Sequence, residues 1–478
     1  MKRPGMTLPP VALRATGLAL ALSLAGCMNL APKHERPALT LQPAAGLSAE
    51  QAASGAAPGP AALPGWRDWL RDERLRQVVA QALAHNPDAQ VAALTVERTR
   101  AQLRLADADR WPTVNAALSG SRAPNYKGVQ TTSFQAGLQV SAWELDLFGR
   151  VANASEAANA AWLASTAAER AAQLALVAQT ASAWLTLAAD TEQLRLARQT
   201  LKDREATQQL GELRFKVGAL SELDWRGIQA LTAAAQASVA QWQRQRAADL
   251  NALQLLVGAS VPASWLPAED ASGFADTAWL ADVPGNLSSE VLQARPDVIQ
   301  AEQQLRAAQA NIGAAKAAVY PRITLSTSAG YVSSSLSGLF NGPTLAWSMA
   351  SQAAVTVFDS GRNQANVRVA EVNRDIALAQ YQKTAQTAYR EAADALVAQA
   401  GWREQAQAQQ AQLAAERERH RLTRLKLDAG ALSQLDWLDA ERSLASAQQA
   451  LVQVRLAEWL NRVALYKALG GEPLASAR

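Results

Sequence analysis

The stretch GALSELDW at residues 218–225 returns as GALSQLDW at residues 430–437, seven of eight residues kept at an offset of 212. So specific a phrase, written once in each half, marks a duplicated unit. NPD at 86–88 answers RPD at 295–297, and WPTVNAALS from Trp111 answers YPRITLSTS from Tyr320, both at an offset of 209. DLFGR ending at Arg150 answers FDSGR ending at Arg362, again at 212. The chain thus holds two repeats of roughly 185 residues, and a period that long signals a duplicated half, not a short-repeat solenoid.

The phrase itself reads as a turn between two helices. Gly218 and Gly430 stand where a long helix must stop, because glycine adopts the left-handed backbone of a helix C-terminus. Ser221 and Ser433 follow, each with an aspartate three residues on, Asp224 and Asp436, in the pattern of a capping box. These aspartates are read as helix caps, not as catalytic acids. On either side, Leu187, Leu194 and Leu201 recur every seven residues, with Ala183 and Ala197 at the intermediate positions of that repeat. Leu444, Ala447, Leu451 and Val454 alternate steps of three and four, the spacing of a coiled-coil-like seam. Helices are predicted over 87–110, 149–214 and 219–257, and again over 296–319, 361–427 and 432–469. Each long helix would run roughly 100 Å. The two shorter ones of a repeat, at roughly 36 and 58 Å, would match it when stacked end to end.

Between the first short helix and the long helix of each repeat the texture changes. FQAGLQVS at 134–141 alternates Phe134, Ala136, Leu138 and Val140 against Gln135, Gly137, Gln139 and Ser141. RITLSTSAGY sets Ile323, Leu325 and Tyr331 against Thr324, Ser326, Ser328 and Gly330. Strands are predicted near 113–121, 132–143, 322–331 and 346–358. Segments of about ten residues with one polar face suit a membrane barrel, although a half-exposed soluble sheet has the same texture. Four strands cannot close a barrel, and lipid does not tolerate open edges, so membrane insertion would require several chains to share one barrel.

Lys2, Arg3 and Arg14 precede an apolar run from Ala15 to Ala25, the pattern of a secretory signal and too short for a membrane span. The LAGC that ends at Cys27 resembles a bacterial lipobox, which implies cleavage before Cys27 and lipid on its sulfur and new amino group. The alternative is a chance cysteine at the end of a plain signal. Met28 in place of aspartate goes with sorting to the outer membrane. The implied organisation is a signal over 1–26, a tether rich in Pro, Ala and Gly over 27–65, and a first repeat over 66–258. A linking segment over 259–286, a second repeat over 287–471 and a tail over 472–478 complete it.

Without its signal the chain carries 43 basic against 42 acidic residues, and no basic patch points to nucleic acid. Beyond Cys27 no run of 18 apolar residues occurs, so any bilayer crossing is expected to use strands. Cys27 is the one cysteine, which excludes a disulfide framework. His34, His85 and His420 are scattered, and there is no HExxH and no GKS or GKT loop. No catalytic, cofactor or metal site is expected, and energy for any transport must come from a partner. Of the 14 tryptophans, Trp184, Trp242 and Trp459 sit in helical patterns and read as packing residues, while Trp143 and Trp347 suit a membrane interface.

Taken together, the lipobox, RPD, YPRITL, WELDLFGR, VFDSGR, LDAERSLASAQQAL and LYKALGG resemble the outer-membrane factors of tripartite efflux systems. These are the TolC-like proteins, and the likeness is to their lipidated, NodT-type branch. The resemblance covers nearly all of the mature chain. It implies a mainly α, duplicated fold and a homotrimer, each chain giving four strands to a twelve-stranded β-barrel in outer-membrane lipid. The helices would form a long α-helical barrel across the periplasm, with an equatorial belt near 66–85, 259–294 and the C-terminus. It implies two partners, a periplasmic adaptor (membrane fusion protein) and an inner-membrane pump of the resistance-nodulation-division type.

The adaptor would dock on the hairpin tips, Val217, Gly218, Ala219 and Leu220 with Ala429, Gly430, Ala431 and Leu432. Phe215 stands where the family often has an aromatic, whereas the second repeat has Leu427. Gly149 and Arg150, like Gly361 and Arg362, mark junctions from strand to helix. The resemblance also implies a periplasmic gate at Leu435, Asp439 and Arg442. Leu435 has a counterpart in Leu223, while Gly227 and Ala230 replace the charged pair in the first repeat. The rival reading is an adaptor or scaffold lipoprotein with coiled-coil hairpins and no channel. Adaptors usually carry one hairpin flanked by β-rich domains, so two hairpins, each with its own strand pair, favour the channel.

Overall fold

The structure is a computed structural model that describes residues 29–37, 63–269, 273–283, 290–339, 341 and 345–471. Cys27, the signal, most of the tether, part of the linking segment and the tail lie outside the described residues. The elements are α1 (Trp66–Trp69), α2 (Glu73–His85), α3 (Pro87–Ala108), β1 (Val114–Pro124), β2 (Gln130–Glu144), α4 (Arg150–Lys216) and α5 (Glu222–Val257). The second repeat supplies α6 (Glu290–Gln293), α7 (Pro296–Ala317), β3 (Arg322–Ser333), β4 (Leu345–Ala354), α8 (Arg362–Asp428) and α9 (Gln434–Ala468). Helix ends fall within three residues of those expected. The described residues form two compact units, one drawn from 29–37, 95–165 and 300–382 and the other from 63–94, 166–299 and 383–471. These units cut across both repeats.

The first unit is built on one antiparallel sheet in the order β1-β2-β3-β4. Its register places Val114 opposite Val140, Val140 opposite Thr327 and Ile323 opposite Ala353. Because side chains alternate along a strand, one face carries Val114, Leu118, Leu138, Val140, Ile323, Leu325, Trp347 and Met349. The other carries Asn115, Ser119, Gln135, Gln139, Thr324, Ser328, Ser348 and Gln352, with the ion pair of Glu144 and Arg322 at one end. A bulge between Val140 and Trp143, with Ala142 at φ 51°, shifts the β2–β3 register. Gly137 faces Gly330, where a Cβ would lie 2.4 Å from the Ala329 carbonyl oxygen. β4 stops at Ala354, short of the expected 358, because its partner Arg322 is the first residue of β3, preceded by Pro321.

In the same unit, residues 29–37 run along α7. Arg36 holds Glu302 with two bonds of 3.0 and 2.7 Å, and His34 reaches Gln309 at 2.7 Å. Farther along α7, Gly313 leaves room for Ala31, whose backbone nitrogen would be 2.8 Å from any added Cβ.

The second unit holds the main core. Trp69 stacks on Tyr466 at 4.0 Å, and the tyrosine hydroxyl donates to the Pro64 carbonyl at 3.0 Å. Trp184 is fully buried and donates to the Trp265 carbonyl at 3.0 Å. Arg71 N–H donates to the Trp279 carbonyl and Ala281 N–H to that of Trp69, stitching α1 to the segment after α5. α4 contains a window apolar enough to cross a membrane, but half of it is packed inside the chain, as befits a core helix.

The short helices meet end to end, and each repeat builds the joint its own way. In the first, Asn86 donates to the carbonyl of Leu256, near the end of α5, at 2.8 Å, and its own side-chain oxygen caps Ala89 N–H at 3.0 Å. In the second, the buried Arg295 donates to the Ala468 carbonyl at 2.7 Å, to Asp297 at 2.7 Å and to Glu391 at 2.9 Å. Burial opposes the Arg295 charge, yet the two carboxylates outweigh it and raise its pKa. Gly258, at φ 70°, completes the first joint, where a Cβ would strike the His85 carbonyl oxygen at 2.6 Å.

Candidate functional site

Both hairpin turns close alike. Gly218 lies at φ 75° and Gly430 at φ 70°. Ala219 N–H bonds to the Arg214 carbonyl and Ala431 N–H to that of Lys426, both at 2.8 Å, the six-to-one bond of a Schellman motif. The next helices start at Ser221 and Ser433, whose hydroxyls accept from Asp224 N–H at 3.0 Å and Asp436 N–H at 3.3 Å. In the second turn Asp436 also accepts the Ser433 N–H at 3.1 Å and the box is reciprocal, whereas the first turn has only the serine half. The Ser433 hydroxyl and then its N–H hold the Asp436 carboxyl below its ordinary pKa.

The tips are bare where the expected docking residues lie. Val217 is 78% exposed, and a Cβ at Gly218 or Gly430 would meet nothing within 4 Å. Leu220 is different, tucked with Leu427 against a cluster of Trp225, Ile228, Trp437 and Leu438. The two tryptophans end the opening phrases of the repeats, and sequence reasoning passed over them. Their identity in both repeats was the available signal. Phe215 stacks on Trp225 at 6.0 Å, while Leu427 takes the matching role in the second repeat.

Just past the second tip, Leu435 is 71% exposed on α9. Asp439 accepts from Arg442 at 2.6 Å on its own helix and from Arg419 of α8 at 2.8 Å. Within the chain, the bond from Asp439 to another helix is made with Arg419, which had no motif to mark it. Deeper in, Arg204 of α4 pairs with Glu441 of α9 at 3.1 Å, both buried. Burial pushes the Glu441 carboxyl up, against the pull of Arg204. Beside this pair a groove of about 790 Å³ is lined by Asp203, His420, Arg424, Trp437 and Leu444. Burial lowers the His420 pKa, with Asp203 opposing it and Arg424 adding to it.

At the strand-to-helix junctions, Gly149 (φ 75°) and Gly361 (φ 85°) start the long helices. Arg150 grips Glu144 with bonds of 2.7 and 2.8 Å, and Arg322 meets the same carboxylate at 2.6 Å. Arg362 instead bonds through its N–H to the Asp359 carbonyl at 3.2 Å.

A duplicated chain with two bare helical tips and a two-faced sheet open at both edges belongs to the class of channels assembled in the outer membrane. Residues 78–259 and 287–471 match the model of the outer membrane efflux protein family, and the chain belongs to that family. It is 38% identical over 460 residues to the probable efflux pump outer membrane protein TtgC of Pseudomonas putida, with 94% of each chain covered. It is 36% identical over 454 residues to the cation efflux system protein CusC of Escherichia coli, covering 95% of this chain and 98% of that one. The open-state MtrE outer membrane channel of Neisseria gonorrhoeae superposes with a TM-score of 0.82 at 34% identity, covering 93% and 98%. The protein is an outer-membrane channel component of an efflux system with a TolC-like fold. Nothing among these relatives supports the adaptor reading.

Proposed function

We propose that three copies of the chain close a twelve-stranded barrel and a periplasmic tunnel, through which an inner-membrane pump of the resistance-nodulation-division type and a periplasmic adaptor pass their cargo. The observation that carries this reading is the sheet, whose β1 and β4 each keep one edge unpaired among the described residues, while one face is mainly apolar and the other mainly polar. In lipid such edges must be paired, and four strands per chain make an even, closable set only with further copies. The polar face is the lumen wall. Apart from the paired Glu144 and Arg322 at one end, its amides and hydroxyls present no charge that would sort cargo, which fits relatives named for toluene, antibiotic and cation efflux.

The bare tips, Val217–Ala219 and Ala429–Ala431, are the adaptor's docking surface, with Leu220 and Leu432 behind them. Leu435, Asp439 and Arg442 form the gate, and three-fold symmetry would set three leucines and three carboxylates round the axis. Cys27 carries the lipid anchor. The experiment is purification from outer membranes followed by mass measurement and planar-bilayer recording. A heat-resistant trimer with discrete conductance is expected, and a non-conducting monomer from the inner-membrane fraction would overturn the reading.

A further inference from the structure

We infer that β4 of one subunit pairs with β1 of the next in a single register, with Ala353 opposite Leu118 of the next copy and Gln352 opposite its Ser119. This rests on the proposed shared barrel and adds what that reading leaves open, the seam between subunits. The duplicated unit shows three strand contacts, β1–β2 within the first repeat, β3–β4 within the second, and β2–β3 between repeats. The missing contact, β4 to a neighbour's β1, is the β2–β3 contact with the repeats exchanged.

The exchange can be read from two offsets. β1 maps onto β3 at 209, carrying Pro112 to Pro321 and Ser119 to Ser328. β2 maps onto β4 at 213, carrying Phe134 to Trp347, Gln139 to Gln352 and Asp146 to Asp359. The value is one more than in the helices because DLFGR has one more residue between its aspartate and glycine than DSGR. A known pairing checks both offsets. They carry Val114↔Val140 of the first hairpin to Ile323↔Ala353, which is the pair present in the second.

Applied to the β2–β3 contact, the same offsets carry Val140↔Thr327 to Ala353↔Leu118 and Gln139↔Ser328 to Gln352↔Ser119. The faces agree, since Ala353 and Leu118 both lie on the apolar side and Gln352 and Ser119 both on the polar side. A slip by one residue would turn lipid-facing side chains into the lumen. A slip by two would keep the faces but break the repeat's register. Direction also agrees, because four alternating strands leave β4 antiparallel to the next β1. One chemical difference follows. Glu144, which binds Arg150 and Arg322 at the β2–β3 contact, maps to Val357, and Arg322 maps to Thr113, so the seam lacks that ion cluster.

The test is disulfide bridging in intact outer membranes, read by non-reducing electrophoresis. Two variants are made, Leu118→Cys with Ala353→Cys, and Ser119→Cys with Gln352→Cys. Successive antiparallel pairs alternate between wider and closer spacing, so one of the two brings its β-carbons within bridging range. A covalent trimer that reduction dissolves is expected from at least one of them. None is expected from the single cysteines, or from the slipped pairs Leu118→Cys with Ser351→Cys and Ser119→Cys with Ala350→Cys. Bridging by slipped pairs alone would overturn the register and leave the shared barrel standing. A trimer captured by a lysine cross-linker, yet bridged by neither matched pair, would do the same. A monomer in both assays would sink the shared barrel itself. Should a double variant fail to insert, a photo-crosslinking residue in place of Gln352 must label the β1 peptide around Ser119 besides its own β3 around Thr324, and β1 labelling centred elsewhere, or labelling of β3 alone, counts against the seam.

Discussion

Asp439 is held by two guanidiniums, and they do different work. Arg442 binds it along one helix, whereas Arg419 binds it across to α8, so only the second bond resists separation of the hairpin's two helices. The Asp439 and Arg419 side chains are nearly half exposed, which limits such a pair to about 0.2–1 kcal/mol. Were three such pairs to act on one gate, as proposed, they would hold it with about 0.6–3 kcal/mol. Arg419→Ala and Asp439→Ala should therefore raise single-channel conductance in planar bilayers alike, and Arg442→Ala should do less. Were Arg442→Ala the strong variant and Arg419→Ala silent, the latch would be misassigned. A second carboxylate acts on the fold itself. Asp190 is 5% exposed, and burial, followed by its bond to Asp249 and that group's charge, pushes it up to about 7. The folded chain then binds more protons than the unfolded one between the ordinary 3.8 and about 7, so stability falls as pH rises through that window. Asp190→Asn should raise the melting temperature at pH 8 and change it little at pH 4. An equal shift at both values would mean that packing, not ionisation, is responsible.

The helical turn was legible because its signals are local: a glycine, a serine and an aspartate within seven residues, written twice. The strands were legible from period two, but their ends were not. Val355 and Val357 keep the alternation after Ala354, yet they have no β3 partner beyond Pro321 and stand 54% and 92% exposed. Arg419, Arg204 and Glu441 were hidden for a different reason, since each meets a partner on a separate helix and has no spacing to betray it. The joints lay half in view. NPD and RPD announced a repeated element, but Asn86 and Arg295 do the same work with different chemistry. Removing Arg295 leaves Glu391, Asp297 and a helix-end carbonyl without their donor, so Arg295→Ala should cost about 3–5 kcal/mol, less some relief from the half-exposed carboxylates. Asn86→Ala loses neutral bonds and should cost about 1–3 kcal/mol. Chemical denaturation of the detergent-solubilised protein checks the order, and a larger loss at Asn86 would contradict it. At the tips, Gly218→Val with Gly430→Val forces a β-branched residue into the left-handed region while touching nothing else. Efflux should fall with oligomer yield nearly kept. Normal efflux from that variant would refute the docking role.

For the whole molecule the question is what keeps it in the outer membrane. Two devices are proposed, acyl chains at Cys27 and a barrel closed by three subunits. Acyl chains act by transfer energy, about 0.8 kcal/mol per buried methylene, and leave an exchangeable anchor unless a second signal adds to them. A closed barrel is held more firmly, because withdrawing one sheet would leave two rows of backbone N–H and C=O groups unpaired in hydrocarbon. On that proposal the anchor's use would be early, keeping each chain at the membrane until three sheets meet. The strap of residues 29–37 suits that order. It runs from Arg36 at Glu302 to Ala31 at Gly313, so its N-terminal end heads toward the end of α7 from which β3 departs. Cys27→Ser, exported with an ordinary signal-peptidase site, should therefore reach the outer membrane more slowly and in lower yield. The trimers that do form should resist carbonate extraction as the parent does and conduct as it does. Arg36→Ala in the lipidated chain should slow assembly in the same way by loosening the strap. Pulse-chase labelling with membrane fractionation separates rate from end state. If exported Cys27→Ser chains never insert, or insert and then wash out with carbonate, the lipid and not the barrel is what holds the protein.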